Sequence, residues 1–146
     1  MSNERTVFQS IAQKHVLTVS PQASIREAAR AMTRMNCGSV LVMGPPDVLL
    51  GILTERDLMT RVLARALDPD RATAREVMTP KPLCVPPDTK VSDALVTMLE
   101  RGFRHLPIVH GSRILGVFSM RDALPRELGN AVAMSEFNEK LNDALG

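Results

Sequence analysis

The hydrophobic and polar positions along this chain form the same pattern twice. In the first copy an apolar run at residues 16–19 precedes a helical spacing of apolar positions that begins after Ser24. Two strand-like runs follow at residues 39–43 and 48–53, and the glycine, prolines and aspartate between them are typical of a hairpin turn. A second helical spacing at residues 56–67 completes the copy. The pattern therefore predicts a strand, a helix, two strands and a helix.

The second copy keeps this order at a nearly constant distance. Ala94 follows Ala28 by 66 positions (94 − 28), and Gly116 follows Gly51 by 65 (116 − 51). One residue is missing from the second hairpin turn, where a surface loop tolerates a deletion. Chance similarity rarely keeps its register through so many elements, so we expect a duplicated unit. The predicted strands of this copy are residues 83–85, 106–110 and 114–118.

Three segments lie outside the copies. Residues 6–11 have the apolar spacing of a short helix packed on the main body, and residues 73–78 form a short helical piece between the copies. The final segment is predicted to be an amphipathic helix that docks on its own core or on a partner subunit, with one face made of Met134, Phe137, Leu141 and Leu145. The predicted divisions are an N-terminal helical segment at 1–13, a first unit at 14–67, a linker with a short helix at 68–80, a second unit at 81–124 and the C-terminal helix at 125–146.

Each copy ends at a strand-to-helix corner where a hydroxyl residue stands three positions before an aspartate. These pairs are Thr54 with Asp57 and Ser119 with Asp122. In one explanation the hydroxyl and the carboxylate cap the start of their own helix. In the other, the free amide groups of the helix start attract phosphate, and the aspartate accepts hydrogen bonds from a ribose diol. The duplication of the corner favours a ligand.

Composition narrows the function classes. The chain is 45% hydrophobic, which suits a compact globular unit, and its net charge of only +2, without a basic tract, makes nucleic acid a weak candidate partner. Cys37 and Cys84 lie far apart, and no Cys or His spacing suits a metal site. No apolar run could cross a bilayer and residues 1–10 lack a signal-peptide core, so we expect a soluble cytoplasmic protein. We expect no catalytic activity, because the chain has neither a Gly-rich phosphate loop nor a nucleophile paired with a base.

The doubled unit resembles a tandem pair of cystathionine β-synthase (CBS) domains, the Bateman module, over residues 14–124. Besides the two corners, the resemblance rests on Met78-Thr79-Pro80 before the second copy and Arg104-His105-Leu106-Pro107-Ile108-Val109 inside it. It implies an α+β fold in which two β-α-β-β-α units pack sheet to sheet with pseudo-twofold symmetry, with additional helices at the N- and C-termini.

The resemblance also implies a function. A stand-alone regulatory protein of this kind binds an adenosine-containing ligand, such as AMP, ADP, ATP, NAD or S-adenosylmethionine, in clefts between the units, and signals to a protein partner. A homodimer is expected, and no cofactor beyond the regulatory nucleotide is required. The alternative is a dimerisation or scaffold module whose clefts are empty.

Site residues follow from the same resemblance. It makes Asp57 and Asp122 the acceptors for the ribose diol, and it gives Thr54 and Ser119 bonds to ribose or phosphate. Arg104 and His105 are expected to meet phosphate charge, because a guanidinium group pairs well with phosphate oxygens. Weaker phosphate candidates are Arg56 and Arg121. The remaining ligand-binding residues, most of them flanking the adenine, are Thr18, Val19, Ser39, Val40, Cys84, Val85, Leu106 and Pro107. The first copy holds Gly38, Ser39 and Leu41 where the second holds Arg104, His105 and Pro107, so two equal sites are not assured.

Overall fold

The computed structural model describes residues 4–11 and 15–123, so the amphipathic helix predicted at 125–146 lies outside the described residues. The first unit contains β1 (Thr18–Val19), α2 (Ile25–Met35), β2 (Ser39–Gly44), β3 (Val48–Thr54) and α3 (Glu55–Asp57), which continues as a π-helical segment at Leu58–Leu63. The second unit contains α5 (Val91–Arg101), β5 (His105–His110), β6 (Arg113–Ser119) and a 3₁₀ turn at Met120–Ala123. Two short helices and a short strand flank the units: α1 (Val7–Ser10), α4 (Ala74–Val77) and β4 (Thr79–Pro80).

The two units form separate sheets. The first sheet has the order β1-β2-β3-β4, with β1 parallel to β2 and the other pairs antiparallel. The second consists of the β5-β6 hairpin. The prediction of a strand at 83–85 is wrong, because Val85 alone pairs there, through a parallel bridge to Ile108. Prolines on both sides of this segment lack the amide hydrogens that a longer ladder would need.

Helix α2 ends at Met35, and Asn36 follows it in the left-handed conformation with φ of 50°. The end of the next helix departs from the prediction. The helix predicted over 56–67 ends at Leu63, whose side chain is 78% exposed. A spacing of 3.6 residues per turn would place Leu58, Val62, Leu63, Ala66 and Leu67 on one apolar face, and of these Val62 is buried and Leu58 is partly buried. A π-helical turn holds more residues than an α-helical turn, so a spacing of 3.6 residues assigned the wrong face.

Each short flanking helix completes the core of one unit. Helix α4 stands between the units in sequence and packs on the first, where Ala72 and Val77 join a core with Ile25, Ala28 and Met32. Helix α1 precedes the first unit in sequence, yet it packs on the second unit. Its contribution to that core is Val7 and Ile11, which lie against Val85, Val91, Ala94, Met98, Leu106, Ile108 and Phe118. The predicted short helix packed on the main body is thereby confirmed.

Backbone hydrogen bonds fasten both helices in the same way. The amide of Val7 donates to Thr89 O at 2.8 Å, and the amide of Ala74 donates to Ala23 O at 2.8 Å. Thr6 and Thr73 cap the two helices by accepting from the amide three positions later, at Gln9 and Glu76. Helix α1 comes from before the first repeat and completes the core of the second unit, and α4 comes from between the repeats and completes the core of the first. Each unit therefore needs a helix from outside its own repeat.

Two equivalent glycines let these segments approach the sheets. A β-carbon at Gly51 would lie 2.8 Å from the backbone oxygen of Thr79 and would also meet the side chain of Met78. A β-carbon at Gly116 would lie 2.6 Å from Ile11 Cδ1. The first obstacle includes backbone of the paired strand β4, whereas the second is the end of a flexible side chain. The two positions therefore differ in how far the neighbouring chain can yield.

We expect Gly51→Ala to lower the free energy of unfolding by about 1–3 kcal/mol, the usual cost of an added methyl group in a packed interior. Gly116→Ala should cost clearly less, because Ile11 can change its rotamer. Both substitutions remove the same unfolded-chain freedom, so the difference between them reports the space alone. Urea denaturation of the two variants measures it, and an equal loss in both would contradict the argument.

Candidate functional site

The first corner is capped by its own side chains. Asp57 Oδ2 accepts hydrogen bonds from the Thr54 amide at 2.9 Å and from Thr54 Oγ1 at 3.0 Å, and Thr54 Oγ1 accepts from the Asp57 amide at 3.3 Å. Arg61 Nε lies 3.7 Å from the other carboxylate oxygen, Asp57 Oδ1. The carboxylate is therefore held in one orientation at the end of β3.

The second corner repeats the arrangement. Asp122 Oδ2 accepts from the Ser119 amide at 2.9 Å and from Ser119 Oγ at 3.1 Å. Capping, the first of the two explanations for the spacing, is thus confirmed at both corners. It does not displace the second explanation, because both aspartates also lie on the walls of cavities.

Each corner is tied to the end of the preceding helix in its own unit. The Glu55 amide donates to Gly38 O at 3.1 Å, and the Met120 amide donates to Arg104 O at 3.2 Å. These bonds bring the residues after α2 and α5 beside the corners. The loop after each long helix is thereby held next to the corner of its own unit.

Two cavities lie where the units meet, and their walls correspond. The first-corner cleft has a volume of about 470 Å³ and is lined mainly by residues 54–57, 79–83 and 102–105. The second-corner cleft, of about 280 Å³, is lined mainly by residues 119–122, 15–17 and 36–39. Each cleft thus combines the corner of one unit with the loop after the long helix of the other. This correspondence agrees with the pseudo-twofold relation that the resemblance implies.

The two clefts differ in charge. The first-corner cleft is lined by Arg56, Arg61, Lys81 and Arg104, together with the carboxylates of Glu55 and Asp57. Arg61 is engaged in the structure, since its Nη1 donates to Val77 O at 2.9 Å and to Met78 O at 3.1 Å. The other three cations are exposed and make no side-chain hydrogen bond or ion pair with the described residues. The second-corner cleft has Arg104 and Arg121 as its arginines.

Three residues form a wall shared by both clefts. Glu55, Arg104 and His105 line the first-corner and the second-corner cleft alike. A β-carbon at Gly38 would lie 3.0 Å from Glu55 Oε1 and 3.3 Å from His105 Nε2, so the two units are in close contact here. Because the first copy has Gly38 and Ser39 at the positions of Arg104 and His105, the second unit alone supplies the arginine and the histidine of this wall.

His105 is unusual in this wall because its Nδ1 atom is buried and has no hydrogen-bond partner among the described residues. Burial lowers the pKa of the ring, and the nearby carboxylates of Glu55, Asp122 and Asp57 oppose the shift without reversing it. The neutral ring is therefore favoured at pH 7. His105 can offer a ligand a hydrogen bond, whereas the positive charge of the wall resides on Arg104.

The structure brings most of the polar predicted residues to the clefts. Those that line a cleft are Ser39, Thr54, Arg56, Asp57, Arg104, His105, Ser119, Arg121 and Asp122. The predicted adenine-flanking residues and Pro107 do not appear among the lining residues. Val40, Val85, Leu106 and Pro107 are buried, Thr18 and Val19 form β1 and pair with β2, and Cys84 is half-buried with Sγ 3.4 Å from Pro82 O.

The residues just before these segments line the clefts in their place. Residues 15–17 border the second-corner cleft and residues 81–83 border the first, and the two stretches correspond in the repeat. The chain turns into the sheet or core at the next residues, which carries Thr18 and Cys84 past the cavity. Sequence reasoning also missed Glu55, Lys81 and Phe103. For Phe103 the repeat offered a usable signal. Residues 102–105 correspond to residues 36–39, and each of these loops lines one cleft.

Within residues 4–11 and 15–123, no group of His, Cys, Asp and Glu side chains could hold a metal ion. None of the helices there is long and apolar enough to cross a membrane.

Comparison with known proteins gives a consistent set of relatives. The family model described as the CBS domain matches residues 8–64 and 74–128. An uncharacterized protein of Methanopyrus kandleri is 32% identical over 136 residues, which cover 92% of this chain and 69% of that protein. The Meiotically up-regulated gene 70 protein of Schizosaccharomyces pombe is 34% identical over 156 residues, covering 99% of this chain but only 21% of its relative. A solved structure from Burkholderia ambifaria, provisionally named as a signal-transduction protein with CBS domains, has a TM-score of 0.79 at 26% identity, covering 87% of this chain and 96% of that one.

The burial of His105 predicts a pH dependence of stability. Because the folded state lowers the pKa of this ring, the unfolded chain binds the proton more readily, and the free energy of unfolding should fall as the pH drops from 7 through about 6.5 towards the folded pKa. His105→Gln should show a smaller loss between pH 7 and pH 5 than the original chain. Denaturation at several pH values measures this, with the exposed His110→Gln as the matched control. Identical slopes for His105→Gln and the original chain would contradict the assignment.

Proposed function

The chain belongs to the CBS-domain family and carries two CBS units, and from this premise we propose that it is a regulatory protein that binds an adenosine-containing ligand in the clefts between its units. The observation that carries the proposal is the pair of corresponding cavities, each with a capped aspartate corner in its wall. A ribose has two adjacent hydroxyl donors, and a fixed carboxylate is a suitable acceptor for them. The same corner presents the start of a helix to phosphate oxygens.

Asp57 has one oxygen to offer a ribose. Its Oδ2 atom already accepts two hydrogen bonds from Thr54, whereas Oδ1 faces Arg61 Nε at 3.7 Å, beyond ordinary hydrogen-bond distance. We assign Oδ1 as the acceptor for the ribose diol. The cap then has a second role, because it orients the carboxylate before the ligand arrives and so reduces the ordering cost of binding.

Phosphate is the part of the ligand that the cations favour. Arg56, Lys81 and Arg104 have exposed charges at the first-corner cleft without a partner among the described residues. An arginine can form paired, charge-assisted hydrogen bonds with phosphate oxygens. We therefore propose that an adenine nucleotide such as AMP, ADP or ATP binds better than adenosine alone.

The first-corner cleft is proposed as the main site. It is larger, about 470 Å³ against about 280 Å³, and its wall holds more cations that are not engaged elsewhere. The two clefts share Glu55, Arg104 and His105, so a nucleotide in one changes the wall of the other.

A homodimer and a protein partner complete the proposal, since a regulatory ligand must distinguish two arrangements of the protein to pass on a signal. The Burkholderia ambifaria protein, provisionally assigned to signal transduction, supports this direction.

Arg104→Ala tests the phosphate contact. We expect the affinity for ADP and ATP to fall about tenfold or more, in line with the loss of a charged hydrogen bond worth on the order of 1.5–3 kcal/mol, while the affinity for adenosine changes little. Calorimetry on nucleotide-stripped protein measures both, with the exposed Arg113→Ala, outside the clefts, as the matched control. Equal weakening of adenosine and ADP would exclude Arg104 as a phosphate ligand.

Asp57→Asn tests the ribose acceptor without removing the cap. The asparagine oxygen can still accept from the Thr54 amide, whereas Asp57→Ala would also lose about 1 kcal/mol of capping and confuse binding with folding. We expect Asp57→Asn to weaken nucleotide binding roughly tenfold and Asp122→Asn to weaken it less. Calorimetry of both variants gives the ratio, and a larger effect at Asp122 would move the main site to the second-corner cleft.

Calorimetry also tests the alternative, in which the protein is a scaffold with empty clefts. Titration of the stripped protein with AMP, ADP, ATP, NAD and S-adenosylmethionine would then give no heat of binding. The purified protein would also show only the weak absorbance of its four Phe residues near 260 nm, where bound adenine would dominate because the chain has neither Trp nor Tyr.

A further inference from the structure

Arg61 connects the corner of the first unit to the segment that follows α4. Its Nη1 atom donates hydrogen bonds to Val77 O at 2.9 Å and to Met78 O at 3.1 Å. Its Nε atom lies 3.7 Å from Asp57 Oδ1. The guanidinium group therefore faces both a backbone segment and the carboxylate oxygen that is proposed to bind ribose.

The two carbonyl groups need a donor from outside their own helix. Val77 is the last residue of α4 and Met78 follows as its cap, and the last carbonyl groups of a helix have no partner within it. Arginine side chains are suitable donors at such an end. Because the guanidinium group is rigid and planar, these two hydrogen bonds also give its Nε atom a defined position beside Asp57.

The fixed guanidinium group completes the restraint on the Asp57 carboxylate. Thr54 holds Oδ2 alone, through its amide and its hydroxyl group. The positive charge of Arg61 attracts Oδ1, and the side chain of Asp57 is only 12% exposed, so solvent screens the attraction less than at an open surface. At 3.7 Å this attraction does not use up the oxygen as a hydrogen-bond acceptor. Oδ1 is thus held in place and still available to a ligand.

Arg61 also holds a second part of the cleft wall. Thr79 and Pro80 come directly after the bonded carbonyl groups, and they line the first-corner cleft together with Asp57 and Arg61. The same two residues form β4, which pairs with β3. One side chain therefore sets the position of the acidic corner relative to the linker side of the cleft.

We propose that Arg61 is a positioning residue that holds Asp57 Oδ1 for the ribose diol, and that it thereby makes the first-corner cleft select ribonucleotides over deoxyribonucleotides. This role of Arg61 rests on the proposed nucleotide binding and adds a specificity to it. A 2′-deoxyribose lacks one of the two adjacent hydroxyl donors, so it gains less from an acceptor that is held in place. Contacts with adenine and phosphate are common to ADP and 2′-deoxy-ADP, and they cancel in the ratio of the two affinities.

Arg61→Lys separates the two contacts of the side chain. A single ammonium group can donate to the carbonyl groups of residues 77 and 78, but it cannot at the same time keep its charge beside Asp57 Oδ1. We expect the original chain to prefer ADP over 2′-deoxy-ADP roughly tenfold. Arg61→Lys and Arg61→Ala should each reduce this preference about threefold or more. Calorimetry on nucleotide-stripped protein measures it, with the exposed Arg65→Ala, outside the clefts, as the matched control that keeps the preference.

A double variant tests whether Arg61 acts through Asp57. Asp57→Asn should by itself remove most of the preference for ADP, and adding Arg61→Lys should then change it no further. A further fall in the double variant would overturn the proposed role, because Arg61 would then act on the ligand by another route.

Two more outcomes would contradict the role of Arg61. The first is an unchanged preference for ADP in the Arg61 variants that circular dichroism shows to be folded. This result would leave the proposed nucleotide binding intact. The second is binding of neither ADP nor 2′-deoxy-ADP to the original chain, which would overturn the proposed function and the role of Arg61 together.

Discussion

The two corner aspartates hold the chain at the positions where it turns from sheet to helix. Asp57 and Asp122 each accept the amide and the hydroxyl of a residue three positions earlier, so one carboxylate oxygen satisfies two donors. This contact starts the helix and points the side chain along the cavity wall. An apolar residue in place of either aspartate would accept neither hydrogen bond and would offer a ligand no acceptor. Local folding and the proposed binding therefore depend on the same group.

The clefts exist because the units depend on each other. Helix α1 crosses to the core of the second unit and α4 returns to the core of the first, with equivalent backbone hydrogen bonds at 2.8 Å. This exchange ties the units together and brings the corner of one against the helix end of the other. Since the cavity walls come from both units, a ligand in either cleft contacts the joint between them. A regulatory protein needs such an arrangement, because the bound molecule must act on the relation between parts.

The two duplicated units no longer have equivalent residues at the clefts. Gly38 and Ser39 stand where the second unit has Arg104 and His105, and these two second-unit residues reach the wall of both clefts. The smaller residues of the first unit leave room for that wall, as the short distances from a β-carbon at Gly38 indicate. This departure from the repeat thus marks a position where the two units have different neighbours.

The sequence by itself determined the order of the elements, the duplication, the hairpins and the capped corners. These features depend on residues that are close together in the chain: apolar spacing for α2 and α5, Gly and Pro at turns, and Thr54 or Ser119 three positions before an aspartate. The unit limits at 14–67 and 81–124 stay predictions. Sequence reasoning was least successful where the local geometry is uncommon, as in the π-helical turn that exposes Leu63.

Only the tertiary structure decided which residues line the clefts. Residues 15–17 and 81–83 lie there and their neighbours Thr18 and Cys84 do not, because the direction of the chain past a cavity depends on contacts with residues far away in sequence. The shared wall of Glu55 and His105 and the lowered pKa of the His105 ring arise in the same way, from burial between two units. Distances between remote residues and the exclusion of water are products of packing, and a pattern of neighbouring residues does not contain them.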